Sequence, residues 1–406
     1  MKKRRIAYLV SEYPAISHTF IIREIQALRD QGFDIRTASI STPDSLEKMT
    51  DIEKSDARNT LYVKDLPIIK IALAHIVMFA ASPLKYVFML KEAIILGCRG
   101  PRNMLKGLAY FAEAGIILHW MCRNSIAHIH VHFANPAATV AMIASSYGTV
   151  SYSMSVHGPD VFYNVDQLLL AEKVKRALFV RCISHYCRSQ LMRMISHSMW
   201  KKLDIVRCGI DPEIFSPVRR NDGDTSEILC VGRLVPAKGQ HILLEACGHL
   251  KKRGVPFRLT YVGDGEDRAS LEGLSNELGL ADSITFAGAV GQDEVHQYYD
   301  QADIFVLASF AEGVPVVLME AMAKEIPSVS TCITGIPELI EDGKNGVLVA
   351  PSDADGLADR LEELLGSESL RIKLGAEGRQ KVLRKYNLAS NSEMMGDLFN
   401  THLRSS

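Results

Sequence analysis

EILCVGRLVPAKGQHILLEA, residues 227–246, runs from a short apolar stretch through a loop opened by Gly232 into a helical pattern. An apolar run this short, closed by glycine, reads as a buried strand. The same rhythm returns at FRLTYVG (257–263), SITFAGAV (283–290), DIFVLAS (303–309), IPSVST (326–331) and GVLVA (346–350), with helical patterns between them. Strands spaced by helices imply a parallel sheet, because parallel neighbours need a long crossover to join them.

Upstream, RIAYLV (5–10) reads as a first strand, SEYPAISHT (11–19) as a Pro-containing loop, and FIIREIQALRDQGF (20–33) as a helix with Phe20, Ile21, Ile25 and Leu28 on one face and Gly32 as its stop. DIRTASI (34–40) returns to strand and completes a βαβ unit. Further strands are expected in IAHIHVHF (126–133), TVSYSMSVHG (149–158), ALFVRCIS (177–184) and KLDIVRCG (202–209). The Pro-, Asp- and Gly-rich segment 211–226 reads as a linker. With 406 residues the chain is too long for a single compact core. Domains are expected at 1–215 and 216–385, with a last helix in 386–406 packing back on the first domain through Leu388, Met394, Met395 and Leu398.

The composition, 47% hydrophobic and 23% charged, is that of a globular protein. A net charge of -1 hides an asymmetry: residues 1–215 hold 27 bases and 18 acids, and residues 216–350 hold 11 bases and 20 acids. Such a basic half suits an anionic surface, or is simply a solvated face. Segment 61–123 is apolar yet carries eight bases against three acids. It reads as a helical excursion that could lie on a membrane, pack on the sheet or line an acceptor groove. The uncharged stretch Ile71–Leu84 falls short of a membrane span, and the apolar run after MKKRR is too short for a signal peptide. The eight cysteines form no CxxC pair, which fits reduced thiols in a cytoplasmic protein and disfavours structural zinc.

Several loops carry candidate chemistry. In AEGVPVVLMEAMAKEIP (311–327), Glu312 follows a strand, and a helix opens near Val314–Val316, so that Gly313, Val314, Pro315 and Val316 could offer backbone amides to a diphosphate. Glu320 lies further along that helix, where a carboxylate can accept from a ribose diol. Arg233 and Lys238 stand at a strand's carboxyl end, suited to a pyrophosphate leaving group, with surface salt bridging as the plainer reading. Gly263 sits in the sharp GDG turn, and Glu338 in TGIPELI (334–340). His157 and Gly158 follow a strand of the first domain, where a backbone can approach a ligand closely.

Taken together, SVHGPD (155–160), RCGIDPEIFSP (207–217), VGRLVPAKG (231–239), TYVGDGEDRASLE (260–272), ITFAGAV (284–290), EGVPVVLMEAMA (312–323) and TGIPELIEDGKNG (334–346) resemble the retaining glycosyltransferase family 4 over nearly the whole chain. The resemblance implies a GT-B fold, α/β, with two Rossmann-like domains facing each other across a cleft, the N-terminal one binding acceptor and the C-terminal one the nucleotide sugar. It implies Glu312 on the sugar hydroxyls, Glu320 on the ribose, Arg233 and Lys238 on the diphosphate, and His157 near the transferred sugar. Where many members carry a Gly-Gly loop after the first strand, this chain reads SEYPAISHTFIIREI, similar to transferases of the colanic acid and amylovoran type, with Ser17 and His18 as acceptor-side substitutes for the lost loop.

The implied activity is transfer of a hexose from a UDP or GDP sugar to a saccharide or polyprenyl-diphosphate-linked acceptor, in exopolysaccharide or capsular synthesis, with retention. No metal and no tightly bound cofactor is expected, since no DxD motif stands at a strand end, and no nucleic-acid partner. The expected location is cytoplasmic, or peripheral on the inner face of the membrane. A glycolipid transferase, a sugar-nucleotide epimerase of the same fold, a pyridoxal-phosphate phosphorylase and a non-catalytic assembly scaffold stay open as alternatives.

Overall fold

The computed structural model describes residues 5–15, 19–43, 49–97, 101–158, 160–163, 165, 169–218 and 225–403. Contacts between backbones divide the chain into two compact units, residues 1–206 with 392–406, and residues 207–391. Each is built on its own parallel sheet.

Among the described residues, the first sheet has seven strands: β1 (Arg5–Glu12), β2 (Asp34–Ser41), β3 (Leu61–Tyr62), β4 (His128–His132), β5 (Ser151–Val156), β6 (Val180–Cys182) and β7 (Leu203–Ile205). Their order is β3-β2-β1-β4-β5-β6-β7, so the chain reverses its direction of winding between β1 and β4. Side chains alternate across the sheet. Ala7, Leu9, Ile129 and Val131 join one core, while Ile6, Tyr8 and Val10 join another with Ile21, Ile25, Leu28 and Phe179.

The second core is completed from the far end of the sequence. Met395 and Phe399, on the helix Leu388–His402, are fully buried in it. Of the apolar residues that the sequence offers for this helix, Met394 instead faces solvent. The ring of Phe399 lies 6.3 Å from Tyr8 and 5.8 Å from Phe179.

Among the described residues the excursion forms three helices, Ile68–Ala81, Pro83–Gly97 and Pro101–Arg123. Met78, Met89, Ala93, Ile117 and Met121 tie them to the first core. His75 locks them to one another: Nδ1 pairs with the Tyr86 hydroxyl at 2.8 Å and Nε2 with the Ala112 carbonyl at 3.0 Å. A Cβ on Gly115 would come within 2.3 Å of this imidazole, so only glycine fits there.

The second sheet, β8 (Glu227–Val231), β9 (Arg258–Val262), β10 (Ile284–Gly288), β11 (Ile304–Leu307), β12 (Ser328–Thr331) and β13 (Val347–Val349), has the order β10-β9-β8-β11-β12-β13. Its reversal falls between β8 and β11. Residues 207–215, which the sequence reading assigns to the first domain, belong to this unit. Ile210 pairs with Asn387, and the buried Phe215 packs against His296 and Tyr299 with ring centroids 4.6 and 6.1 Å away. Residues 386–391 stay here as well, with Asn391 donating to the Cys208 carbonyl at 3.3 Å. Cys122, Cys182, Cys187, Cys208, Cys230, Cys247 and Cys332 are free thiols.

Candidate active site

In a doubly wound sheet the loops leaving the two strands at the reversal part to opposite faces and open a crevice at the carboxyl edge. In the second unit those loops follow β8 and β11, and they carry Arg233, Lys238 and Glu312. The Lys238 ammonium meets Glu312 Oε1 at 2.5 Å, and the Ser309 hydroxyl donates to the same oxygen at 2.8 Å. Glu312 is 9% exposed. A backbone bond fastens the loops together, Phe310 N–H donating to Ala237 O at 2.9 Å, and the Thr331 hydroxyl of β12 donates to Ser309 O at 2.6 Å. Gly239, at φ 60°, lies so close to β11 that a Cβ would sit 2.2 Å from Ala308 O.

Arg233 is exposed, and its carbonyl accepts from Gln240 Nε2 at 2.8 Å. Gly263 closes the next turn with φ +142°, where a Cβ would fall 1.9 Å from Gly232 O. Gly313, Val314 and Pro315 lead into the helix Val316–Ala323, whose N-terminus no side chain caps. Glu320 is buried on that helix and accepts from the Tyr299 hydroxyl at 3.0 Å. Glu338 faces Arg207 Nη2 at 3.4 Å.

In the first unit His157 directly follows β5 and is 7% exposed. Its ring is walled by Phe20, His132 and Phe133, with centroids 4.9, 5.0 and 5.0 Å away. Phe133 holds φ +66°, a costly backbone for an aromatic residue. Ser17 and His18 lie outside the described residues.

Sequence reasoning missed the polar network behind His157. His128, His130 and His132 alternate along β4 and face Ser151, Ser153 and Ser155 on β5. Four histidine–serine contacts of 2.8 Å tie His128 to Ser151 and Ser153, and His130 to Ser153 and Ser155. His132 Nδ1 meets His157 Nε2 at 2.9 Å. Beyond them, Glu24 pairs with Arg181 and accepts from the Tyr8 hydroxyl at 3.0 Å. Burial pushes all four imidazoles below their ordinary range, His128 to about 3. Arg181 and His132 offset burial at Glu24 and hold its carboxyl well below the usual value. Glu24, His130 and His132 approach as metal ligands would, yet both nitrogens of His130 are bonded to serines and Arg181 already neutralises Glu24. The alternation HIHVH against SYSMS is the signal that could have exposed the serine ladder.

Residues 212–381 match the family of glycosyl transferases group 1. The Escherichia coli (strain K12) protein WcaL, named for colanic acid biosynthesis, is 30% identical over 94% of this chain and 96% of its own. The chain belongs to the group 1 glycosyl transferases. Solved members of the same architecture share the fold of this glycosyltransferase. A sucrose-phosphate synthase from Thermosynechococcus elongatus superposes with a TM-score of 0.79 at 20% identity, covering 100% of both chains. Anabaena HepE, solved in complex with UDP-glucose, superposes with a TM-score of 0.74 at 16% identity, covering 98% of this chain and 99% of its own. These likenesses establish the GT-B fold for the transferase and leave its own substrates to the chemistry of its site.

Proposed function

We propose that this glycosyltransferase moves a hexose from a UDP or GDP sugar to a saccharide or polyprenyl-diphosphate-linked acceptor in exopolysaccharide synthesis, with retention and without a metal ion. The observation that carries the reading is the Lys238–Glu312 pair at the reversal of the second sheet. An arriving diphosphate competes with Glu312 for the ammonium. Lys238 and Arg233 then neutralise the leaving group, and the helix Val316–Ala323 turns its first amides toward the anion. Glu312, released, accepts from sugar hydroxyls, and Glu320 serves the ribose. His157 is assigned to the transferred sugar. The reading is supported by HepE, a structural neighbour solved in complex with UDP-glucose.

The test compares Glu312→Gln and Glu320→Gln by calorimetry with UDP and GDP and by steady-state transfer. Glu312→Gln should bind nucleotide nearly normally and lose kcat by about 10²-fold. Glu320→Gln should lose about 1.5–3 kcal/mol of nucleotide affinity. The reverse pattern would mean that the donor lies the other way round.

A place on the inner face of the membrane belongs to the same proposal. Its support is the outer side of the helical excursion, where Ile68, Ile69, Leu84 and Leu105 are 71–87% exposed. Lys64, Lys70, Lys85, Lys91 and Lys106 are exposed in the same stretch. No helix among the described residues is long and apolar enough to cross a membrane, so this face would lie on the surface.

A further inference from the structure

The network behind His157 has a direction. Tyr8, Glu24, His132 and Arg181 are all at most 4% exposed, so no water competes for their bonds. A buried carboxylate is an acceptor only. Glu24 Oε1 stands 3.3 Å from His132 Nε2, a close approach not aligned as a full hydrogen bond, and that nitrogen has no other partner among the described residues. The proton of a neutral His132 therefore belongs on Nε2, which leaves Nδ1 with a lone pair. The contact of 2.9 Å between His132 Nδ1 and His157 Nε2 must then be made by the His157 proton. The opposite arrangement would turn the lone pair of His132 Nε2 toward a carboxylate, in a site where burial lowers the pKa of both imidazoles and so disfavours a second proton on either ring.

Arg181 holds the other end. Its guanidinium pairs with Glu24 and its Nε donates to the Val206 carbonyl at 2.8 Å. The carboxylate therefore stays charged and in place. Phe20 and Phe133 close on the His157 ring and leave it little room to turn.

We infer that Glu24, acting through His132, fixes His157 as the Nε2–H tautomer, which makes Nδ1 the accepting atom of that ring. Glu24 and His132 are positioning residues. The inference rests on the assignment of His157 to the sugar for its catalytic consequence, and on the buried geometry alone for the tautomer.

The experiment uses the full chain with 15N-labelled histidine, His157 being assigned from the signal lost in His157→Gln. In the wild type, His157 should show a protonated Nε2 and a bare Nδ1. His132→Asn keeps an amide oxygen near the Nδ1 position, whereas His132→Phe keeps a ring without an acceptor. His132→Phe should mix the tautomers and lower kcat by about 10²-fold, the scale of a misplaced catalytic group, with donor KM within twofold. His132→Asn should restore the tautomer and most of the activity. Glu24→Gln supplies a second spectrum if His132→Phe fails to fold, and should also mix the tautomers. A wild-type spectrum with the proton on Nδ1 overturns the inference, as does equal behaviour of His132→Phe and His132→Asn. The spectrum is read whether or not any nucleotide sugar is turned over, so an incorrect substrate assignment would appear in the transfer assay while the tautomer is judged separately.

Discussion

The two sheets reverse their winding at equivalent places, between β1 and β4 in the first unit and between β8 and β11 in the second, yet they equip those places differently. The second unit sets its charges in loops, with Lys238 and Glu312 fastened by short backbone links. The first buries its polar groups in and against the sheet, where Glu24 of a covering helix pairs with Arg181 of β6 and the histidines of β4 are held by the serines of β5 and by His157. Lys238 and Arg233 can be changed at lower cost to folding, because both reach solvent and Glu312, though 9% exposed, keeps the Ser309 hydroxyl when the ammonium is gone. The buried charges of the first unit cannot, since removal of one partner leaves the other desolvated and unpaired.

Four measurements test that contrast, from the largest effect to the smallest. Phe399→Ala empties a site in the core that carries the buried network, and should cost about 3–5 kcal/mol in denaturant unfolding. A loss under 1 kcal/mol would mean that the C-terminal helix is not part of that core. Lys238→Ala should reduce kcat by about 10²- to 10³-fold, or about 2.7–4 kcal/mol of transition-state stabilisation, while Tm stays within a degree or two of wild type. A large drop in Tm would erase the distinction between the units.

The third measurement is acid unfolding. A histidine with a depressed folded-state pKa binds fewer protons than it does in the unfolded chain, so stability falls as pH drops below the ordinary 6.5, until the folded value is reached, about 3 for His128. Each such group contributes a slope of up to about 1.4 kcal/mol per pH unit. Tryptophan and near-ultraviolet signals of the first unit, which holds Trp120 and Trp200 and the buried histidines, should be lost at higher pH than the transition of the second. Simultaneous loss would refute this. The smallest effect concerns vesicles. Neutralising Lys85 and Lys91 should weaken binding to anionic liposomes by about 1 kcal/mol per charge, leaving residual binding that resists salt. Leu84→Ser with Leu105→Ser should remove that residue, and unchanged sedimentation of this double variant would count against an apolar seat.

The same contrast governs what could be read from the sequence. Strands such as ILCV and IFVL announce themselves by composition, and the loop residues of the second unit lie within a few positions of the strands that aim them. Arg233, Lys238, Glu312 and Glu320 were therefore visible as candidates. Glu24 and Arg181 stand 157 residues apart, and nothing local marks a glutamate inside an amphipathic helix as the partner of an arginine in a strand. Phe399 escaped notice for a related reason: its helix is read by its own apolar face, and only the sheet it covers shows which residue is the anchor. The boundary after Val206 moved because Ile210 and Phe215 bond to residues far along the chain.

That first unit is assembled from two stretches of chain, and synthesis delivers them at different times. Residues 207–391 must be made after Val206 and before Ser392, which at ribosomal speeds takes on the order of ten to forty seconds. Throughout that interval the nascent sheet carries Tyr8, His130 and Phe179 without the Phe399 that will cover them. The first unit cannot complete its core until the helix of Phe399 has been made. A stop codon shortly before Met395 would release a chain whose second unit is whole and whose first unit is a client for chaperones.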